Sequence, residues 1–102
     1  MLVTEIYNTL KQSQLVNTLE EYSTQWLNKH KTTASYLIHK KRDLSINAKV
    51  SCLINIKNKI TEIENSNKIT KILETESLLT LKKLQNLIKF KISTELGIKI
   101  VM

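Results

Sequence analysis

The sequence predicts an all-α fold, and three observations support this class. Proline is absent and Gly97 is the only glycine among the 102 residues, so the Asn-Gly and Gly-Gly turns that close tight β-hairpins cannot form. Apolar residues recur at helical spacing along most of the chain. Leu, Lys and Glu, which favour helices, are among the commonest residues. Given this length, we expect one domain over residues 1–102.

Helix 1 is predicted over residues 3–13. Ile6 and Leu10 lie four positions apart there, with Tyr7 beside them, which makes one apolar stripe. Thr4 is a candidate cap for the start of this helix.

Helix 2 is predicted to begin at Asn17 or Thr18, because both residue types favour the N-cap position. Thr18 followed by Glu21 also fits a capping box, in which two residues bond each other's free amides. The core-facing stripe of this helix comprises Leu19, Tyr22, Trp26 and Leu27. Asn28 follows directly, and asparagine tolerates the left-handed conformation that ends many helices.

Helix 3 is predicted to start after a tight turn, with Thr32 or Thr33 as its cap, and to run to about Lys41. Its inward-facing residues are Ala34, Leu37 and Ile38. Its outward-facing residues are Thr33, Ser35, Tyr36, His39 and Lys40. Two short helices, the second one basic and rich in hydroxyl groups, follow the helix-turn-helix plan, in which the second helix enters the major groove of DNA.

Helix 4 is predicted from Ser45, its cap, through to Glu64. Its apolar stripe comprises Ile46, Val50, Leu53, Ile54, Ile60 and Ile63. These four helices would form a helix-turn-helix unit over residues 3–64.

A turn is predicted at 65–67, followed by a C-terminal helical segment over residues 68–96 with a second apolar stripe. The phase of this stripe slips over 75–79, which leaves open whether the segment is one helix or two. Gly97 is placed to end it. The tail 98–101 alternates like a strand and could pair with a second chain.

The basic charge is concentrated in the middle of the chain. Residues 29–59 hold eight Lys or Arg residues against one Asp, a net charge of +7. Residues 1–28 carry −2 and residues 60–102 carry +2. A patch of this kind attracts polyanions, because each neutralised phosphate releases condensed counterions. The charge distribution therefore predicts a nucleic-acid-binding unit.

Three segments between Tyr22 and Ala48 carry a resemblance to a known family. They are Tyr22-Ser23-x-x-Trp26-Leu27-Asn28-Lys29, Ser35-Tyr36-Leu37 and Arg42-Asp43-Leu44-Ser45-x-x-Ala48. Over about residues 1–60, the chain resembles small helix-turn-helix proteins of bacterial genomes, plasmids and phages. The resemblance implies a repressor-like fold of the Cro and phage-repressor class. Asn28 stands in place of the family's Gly, Leu44 in place of its Pro, and Ser23 where many members have Ala.

We therefore expect sequence-specific binding of double-stranded DNA by a small transcriptional regulator of the kind that mobile elements carry. The candidate base-reading residues are Thr32, Thr33, Ser35, Tyr36 and His39. The candidate phosphate contacts are Lys29, Lys31, Lys40, Lys41, Arg42 and Lys49. A homodimer is expected because one short helix reads few base pairs. Its candidate interface comprises Leu81, Leu84, Ile88 and Ile92.

Two other functions fit the same charge pattern. One is a helical protein–protein interaction module, such as an inhibitor or adaptor encoded by a virus or plasmid, whose basic stretch would face an acidic partner. The other is a structural virion or nucleoid component that binds DNA without sequence preference. Steep salt-dependent affinity for DNA would separate an adaptor from a DNA-binding protein.

Other classes of site find no support in the sequence. No nucleophile–base pair or glycine-rich phosphate loop is present, so we expect no enzyme, no cofactor and no small-molecule ligand. His30 and His39 are nine positions apart without a further ligand, so we expect no metal. Cys52, the only cysteine, is expected to be a small buried hydrophobic residue. Without a secretory signal or a long apolar run, we expect a cytoplasmic protein.

Overall fold

The computed structural model describes residues 1–65 and 71–97, and every regular element in these ranges is helical. The predicted all-α class is confirmed. The helices are α1 (Leu2–Gln12), α2 (Leu19–Glu21, continued by a π-helical turn, Tyr22–Trp26), α3 (Thr33–His39), α4 (Ile46–Asn65) and α5 (Lys71–Leu96). Asn65, predicted as part of a turn, is the last residue of α4, so this part of the prediction is wrong. The other predicted turn residues, Ser66 and Asn67, the start of the predicted C-terminal segment, 68–70, and the predicted strand-like tail 98–101 lie outside the described residues.

The start of α1 is capped by a residue that is distant in sequence. The carboxylate of Asp43 accepts hydrogen bonds from the backbone amides of Leu2, at 3.1 Å, and of Val3, at 2.8 Å. Thr4 lies inside the helix, so its predicted role as the cap is wrong. Ile6 and Leu10 are buried as predicted.

The predicted start of α2 is confirmed, with Thr18 as the N-cap. The Thr18 side chain accepts a hydrogen bond from the amide of Glu21 at 3.1 Å. The Glu21 carboxylate reaches one residue further than in a standard capping box and accepts from the amide of Asn17 at 3.2 Å. Tyr22 and Trp26 are buried, as predicted for the core face of this helix.

Three helices end on a residue other than glycine in the left-handed conformation. Gln14, Asn28 and Lys41 have φ angles of 61°, 55° and 55°. For Asn28 this confirms the prediction. A residue with a Cβ atom is strained in this region by about 1 kcal/mol or more. Because these three positions are not glycine, each of these helix ends lowers the stability of the folded chain slightly.

Helices α4 and α5 pack side by side in antiparallel orientation. The carboxylate of Glu64, at the end of α4, lies 3.5 Å from the ammonium nitrogen of Lys82 on α5. Lys49, near the start of α4, forms an ion pair with Glu95, near the end of α5. The Ser45 hydroxyl accepts a hydrogen bond from the amide of Ala48 at 3.2 Å, which confirms Ser45 as the cap of α4. α5 is one continuous helix, which settles the question left open by the slip in its stripe.

The buried face of α4 is rotated from the predicted stripe. Val50 and Ile54 are 38% and 45% exposed, so their assignment to the core was wrong. Leu53 and Ile60 are buried as predicted, and the rest of the core face is formed by Ala48, Cys52 and Ile56, which the predicted stripe did not include. In a sequence so rich in Ile, several apolar stripes can be drawn on one helix, and the packing partner selects among them.

The apolar stripe of α5 closes the core of the chain. Its residues are Leu81, Leu84, Ile88 and Ile92, and none of them is more than 3% exposed. They belong to the same cluster as the buried residues of α1 and α4. The prediction of a dimer interface on these four residues is therefore wrong, because the side chains are already covered within the chain.

Candidate nucleic-acid interface

The connection between α2 and α3 is longer than the sequence suggested. It spans residues 27–32, whereas a typical helix-turn-helix connection has about three or four residues. Asn55 of α4 holds this connection in place. Its side-chain amide donates to the carbonyl oxygen of Trp26 at 2.9 Å and to the side-chain oxygen of Asn28 at 3.1 Å. The start of the connection is thus anchored to a long helix.

The start of α3 is fixed against α2 by a buried hydrogen bond. The hydroxyl oxygen of Ser23 accepts from the backbone amide of Ala34 at 2.8 Å, and both residues are fully buried. Thr32 occupies the N-cap position but makes no side-chain cap bond. Sequence reasoning treated Ser23 only as a small residue where Ala is common. An alanine of similar size could not accept the hydrogen bond from Ala34, so the hydroxyl group of Ser23 is the feature that matters at this position.

The five candidate base-reading residues share the surface of α3. Thr32, Ser35, Tyr36 and His39 are exposed, and Thr33 is partly buried. The hydroxyl groups of two of them have partners within the protein. Thr32 Oγ1 lies 2.9 Å from Nδ1 of His30, and the Ser35 hydroxyl donates to the carbonyl oxygen of Thr32 at 3.0 Å.

Tyr36 and His39 are the least engaged members of this group. Tyr36 is 51% exposed. Within the described residues, neither side chain has a hydrogen-bond partner. A phenol and an imidazole on the outer face of a short helix can donate to or accept from base edges and phosphates.

Lys40, Lys41 and Arg42, termed the basic segment here, close the C-terminal end of α3 and are all exposed. The amide of Lys41 donates to the carbonyl oxygen of Ile38 at 3.2 Å, and that of Arg42 to the carbonyl oxygen of Leu37 at 2.8 Å. This pair of bonds is the Schellman motif, which usually places glycine at the left-handed position that Lys41 occupies. The backbone of the basic segment is therefore fixed relative to α3.

Lys29 and Lys31 lie before α3 and are also exposed. The ammonium of Lys31 is 3.9 Å from the carboxylate of Glu20, at the outer limit of an ion pair, and both side chains are more than half exposed. Such a pair contributes little to stability. Lys31 therefore remains free to exchange Glu20 for another anion.

Lys49 does not belong to this surface. It is only 6% exposed, and its ammonium group is paired with the carboxylate of Glu95 on α5. Its predicted phosphate contact is therefore wrong. The physical reason is that α5 packs over the first turns of α4, and a basic residue that looks exposed on an isolated helix becomes buried and paired.

Asp43, the only acidic residue of 29–59, follows the basic segment directly. Besides the amides of Leu2 and Val3, its carboxylate accepts from the amide of Leu44 at 2.9 Å. Burial by itself would raise the pKa of Asp43, but the bonds from Val3, Leu44 and Leu2 and the charge of Lys49 outweigh it. The net result is a lowered pKa. Sequence reasoning gave Asp43 no role.

Other sites are not apparent in the described part of the chain. There, no three His, Cys, Asp or Glu residues lie close enough together to hold a metal ion. Cys52 is fully buried, as predicted, and burial raises the pKa of its thiol to about 12. None of the described helices combines the length and apolar character that crossing a membrane requires.

Comparison with known proteins gives one match. The model of a family of unknown function, DUF6626, matches residues 3–95. No curated protein and no solved structure matches the chain.

Proposed function

The chain belongs to DUF6626, a family of unknown function, and we propose that it binds double-stranded DNA in a sequence-specific manner through α3 and the cations that flank it. One observation carries this proposal. Exposed basic residues stand at both ends of α3, namely Lys29 and Lys31 before it and the basic segment after it. Among the described residues, two carboxylates lie near these cations. That of Asp43 is engaged by backbone amides, and that of Glu20 forms only an exposed, weak ion pair with Lys31.

The dimensions of an α-helix suit the major groove, since a helix with its side chains is about 10–12 Å across and the major groove of DNA is about 12 Å wide. Because α3 has only seven residues, the cations at its two ends would lie close to the phosphates that border the groove. In this arrangement α2 and α3 act as a helix-turn-helix with a lengthened connection.

Base recognition in this proposal falls mainly to Tyr36 and His39. Their polar groups have no hydrogen-bond partner in the described part of the chain, whereas Thr32 and Ser35 would have to exchange an internal bond for a contact with a base. Thr33 is partly buried and is less accessible to a base than the other four residues. Phosphate contacts from the flanking cations would set the register of the helix.

We further propose that the protein acts in the cytoplasm as a transcriptional regulator and as a homodimer. One seven-residue helix contacts few base pairs, and two copies on a two-fold symmetric site would supply the missing specificity. The interface lies outside the stripe from Leu81 to Ile92, since that stripe is covered within the chain.

The proposal is tested by anisotropy of labelled random duplexes at two salt concentrations, followed by sequencing of the bound fraction. The decisive variant is Lys40→Ala/Lys41→Ala. Its matched control is Lys83→Ala/Lys91→Ala, which removes the same charge from exposed positions on α5. In a plot of the logarithm of the binding constant against the logarithm of the salt concentration, the loss of two phosphate contacts should make the negative slope less steep by about two units, at about 0.9 per contact. The control should keep the slope within about half a unit.

Each outcome has a distinct meaning. Salt-dependent binding with an enriched symmetric sequence supports a dimeric regulator, and binding without enrichment supports an architectural DNA-binding protein. Equal losses in the two double variants would show that net charge, rather than the surface around α3, determines binding. No binding by the unmodified chain at low salt would refute the proposal.

The protein-interaction alternative has one observation in its favour. Leu79 and Phe90 on α5 are 57% and 61% exposed, and large exposed apolar side chains are more common at protein contacts than elsewhere on a surface. They lie three turns apart on the helix and do not form a continuous patch. DNA binding therefore remains the better-supported proposal.

A further inference from the structure

Asp43 joins two parts of the chain that are forty residues apart. Its Oδ1 atom accepts hydrogen bonds from the amide of Val3 at 2.8 Å and of Leu44 at 2.9 Å, and Oδ2 accepts from the amide of Leu2 at 3.1 Å. The first amides of a helix have no partner within the helix and carry partial positive charge, so a carboxylate is well suited to bind them. Asp43 therefore fastens the end of the basic segment to the start of α1.

The basic segment is thus held at both of its ends. On the side of α3 it is held by the Schellman bonds of Lys41 and Arg42. On the other side it is held by Asp43 and by Leu44, whose side chain is 4% exposed in the core. Without the bonds of Asp43, the end of the basic segment that is distant from α3 would be held mainly by the burial of Leu44.

Val3 links Asp43 to the helix that supports α3. The backbone amide of Val3 donates to Asp43, and its carbonyl oxygen accepts a hydrogen bond of 2.8 Å from the hydroxyl of Tyr22 in α2. The neighbouring Ser23 in turn holds the start of α3 through Ala34. Hydrogen bonds and the intervening backbone therefore connect α2 to α3, α3 through the basic segment to Asp43, and Asp43 through α1 back to α2.

We infer that Asp43 is a positioning residue for DNA binding, which holds the basic segment at the C-terminal end of α3 in the orientation that meets the phosphates. The inference rests on the proposed function. It gives an acidic residue a favourable role in binding a polyanion. This role is the opposite of what its charge alone would predict, since removing a negative charge beside three cations should strengthen binding to DNA.

Two substitutions separate position from charge. Asp43→Ala removes all three hydrogen bonds together with the negative charge. Asp43→Asn removes the same charge, but its side-chain oxygen can still accept the two bonds that Oδ1 receives from Val3 and Leu44. The charge control is Glu62→Gln, which makes the same change in net charge at an exposed position near the other end of α4.

The experiment measures binding of the full chain and these variants to two labelled probes. One is a pool of random duplexes of about 20 base pairs, enough for two adjacent half-sites. The other is the duplex that the unmodified chain enriches from that pool. We expect Asp43→Ala to bind the enriched duplex about tenfold more weakly, with a smaller loss on the pool, because misplaced cations still attract DNA in general. Asp43→Asn should stay within about threefold of the unmodified chain.

The inference is overturned if Asp43→Ala and Asp43→Asn both bind more tightly, as Glu62→Gln should, because Asp43 would then act only through its charge. If the unmodified chain binds neither probe, the proposed function fails, and the failure is visible before any variant is compared. Circular dichroism shows whether each variant is folded at the binding temperature. Should Asp43→Ala be unfolded, the comparison becomes Asp43→Asn with Glu62→Gln. Weaker binding of the enriched duplex by Asp43→Asn than by Glu62→Gln supports positioning, and binding by Asp43→Asn as tight as that by Glu62→Gln refutes it.

Discussion

The hydroxyl oxygen of Ser23 accepts a hydrogen bond of 2.8 Å from the backbone amide of Ala34, and both residues are fully buried. The bond occupies one of the amides that the start of every helix leaves without an internal partner. It takes the place of a local cap, since Thr32 has helical φ and ψ angles of −94° and −2° and makes no cap bond. The orientation of α3 on α2 thus depends on a residue eleven positions earlier.

Ser23→Ala should lower the free energy of unfolding by about 1–2 kcal/mol, because the buried amide of Ala34 loses its partner. Urea denaturation followed by circular dichroism measures the change. Thr24→Ala is the matched control, since its exposed hydroxyl bonds only backbone carbonyl oxygens about one turn earlier, those of Glu20 and Glu21. It should cost less than about 0.5 kcal/mol. Similar losses in the two variants would show that the bond to Ala34 has no special weight.

Lys41→Gly should stabilise the fold and weaken DNA binding at the same time. Lys41 has a φ of 55°, and glycine at such a helix end relieves strain of about 1 kcal/mol or more. The greater conformational entropy of glycine in the unfolded chain offsets part of this gain. The side chain that is lost is one of the proposed phosphate contacts. Thermal unfolding and DNA anisotropy on the same samples measure both effects.

Gln14→Gly is the control for this substitution. Gln14 has a φ of 61° and closes α1 with the same pair of bonds, from its own amide to Lys11 and from the amide of Leu15 to Leu10. It should gain a similar stability and leave DNA affinity unchanged. If both glycine variants bind DNA as the unmodified chain does, Lys41 contributes nothing to the interface.

Asp43 should make stability dependent on acid pH. Its pKa in the folded chain is lower than in the unfolded chain, where an Asp titrates at about 3.9. The stabilisation is therefore fully present above that value and is lost as the pH falls through the folded pKa. Asp43→Asn should show a smaller fall in the urea midpoint between neutral and strongly acid pH. Parallel pH profiles for the two proteins would mean that the carboxylate charge of Asp43 does not stabilise the fold.

Ile88→Ala should destabilise the isolated chain by about 2–5 kcal/mol, as expected for a large core side chain replaced by a small one. Ile88 lies on α5, and its side chain is fully buried in the core. Its effect should be the same at low and high protein concentration, because the lost contacts lie within one chain. A loss that grows on dilution would instead point to contacts between chains.

The sequence by itself determined what depends on near neighbours in the chain. The all-α class, the cap at Thr18, the left-handed Asn28 and the cap at Ser45 were all predicted and are all present. Each of these features is fixed by hydrogen bonds or periodicity within about one or two helical turns. The residues that present the hydroxyl groups and cations of α3 were identified for the same reason.

Only the tertiary structure decided the features that depend on partners far along the chain. Lys49 was assigned to the DNA-binding surface, but Glu95 and the covering α5 make it a buried ion pair. The stripe around Ile88 was assigned to a dimer, but α1 and α4 already cover it. Asp43 appeared to be a lone acid among cations until the start of α1 was placed against it. The periodicity and charge of a sequence indicate which side chains lie on each face of a helix. Which of these faces another helix covers depends on packing between helices that are distant in sequence, and no local pattern contains that information.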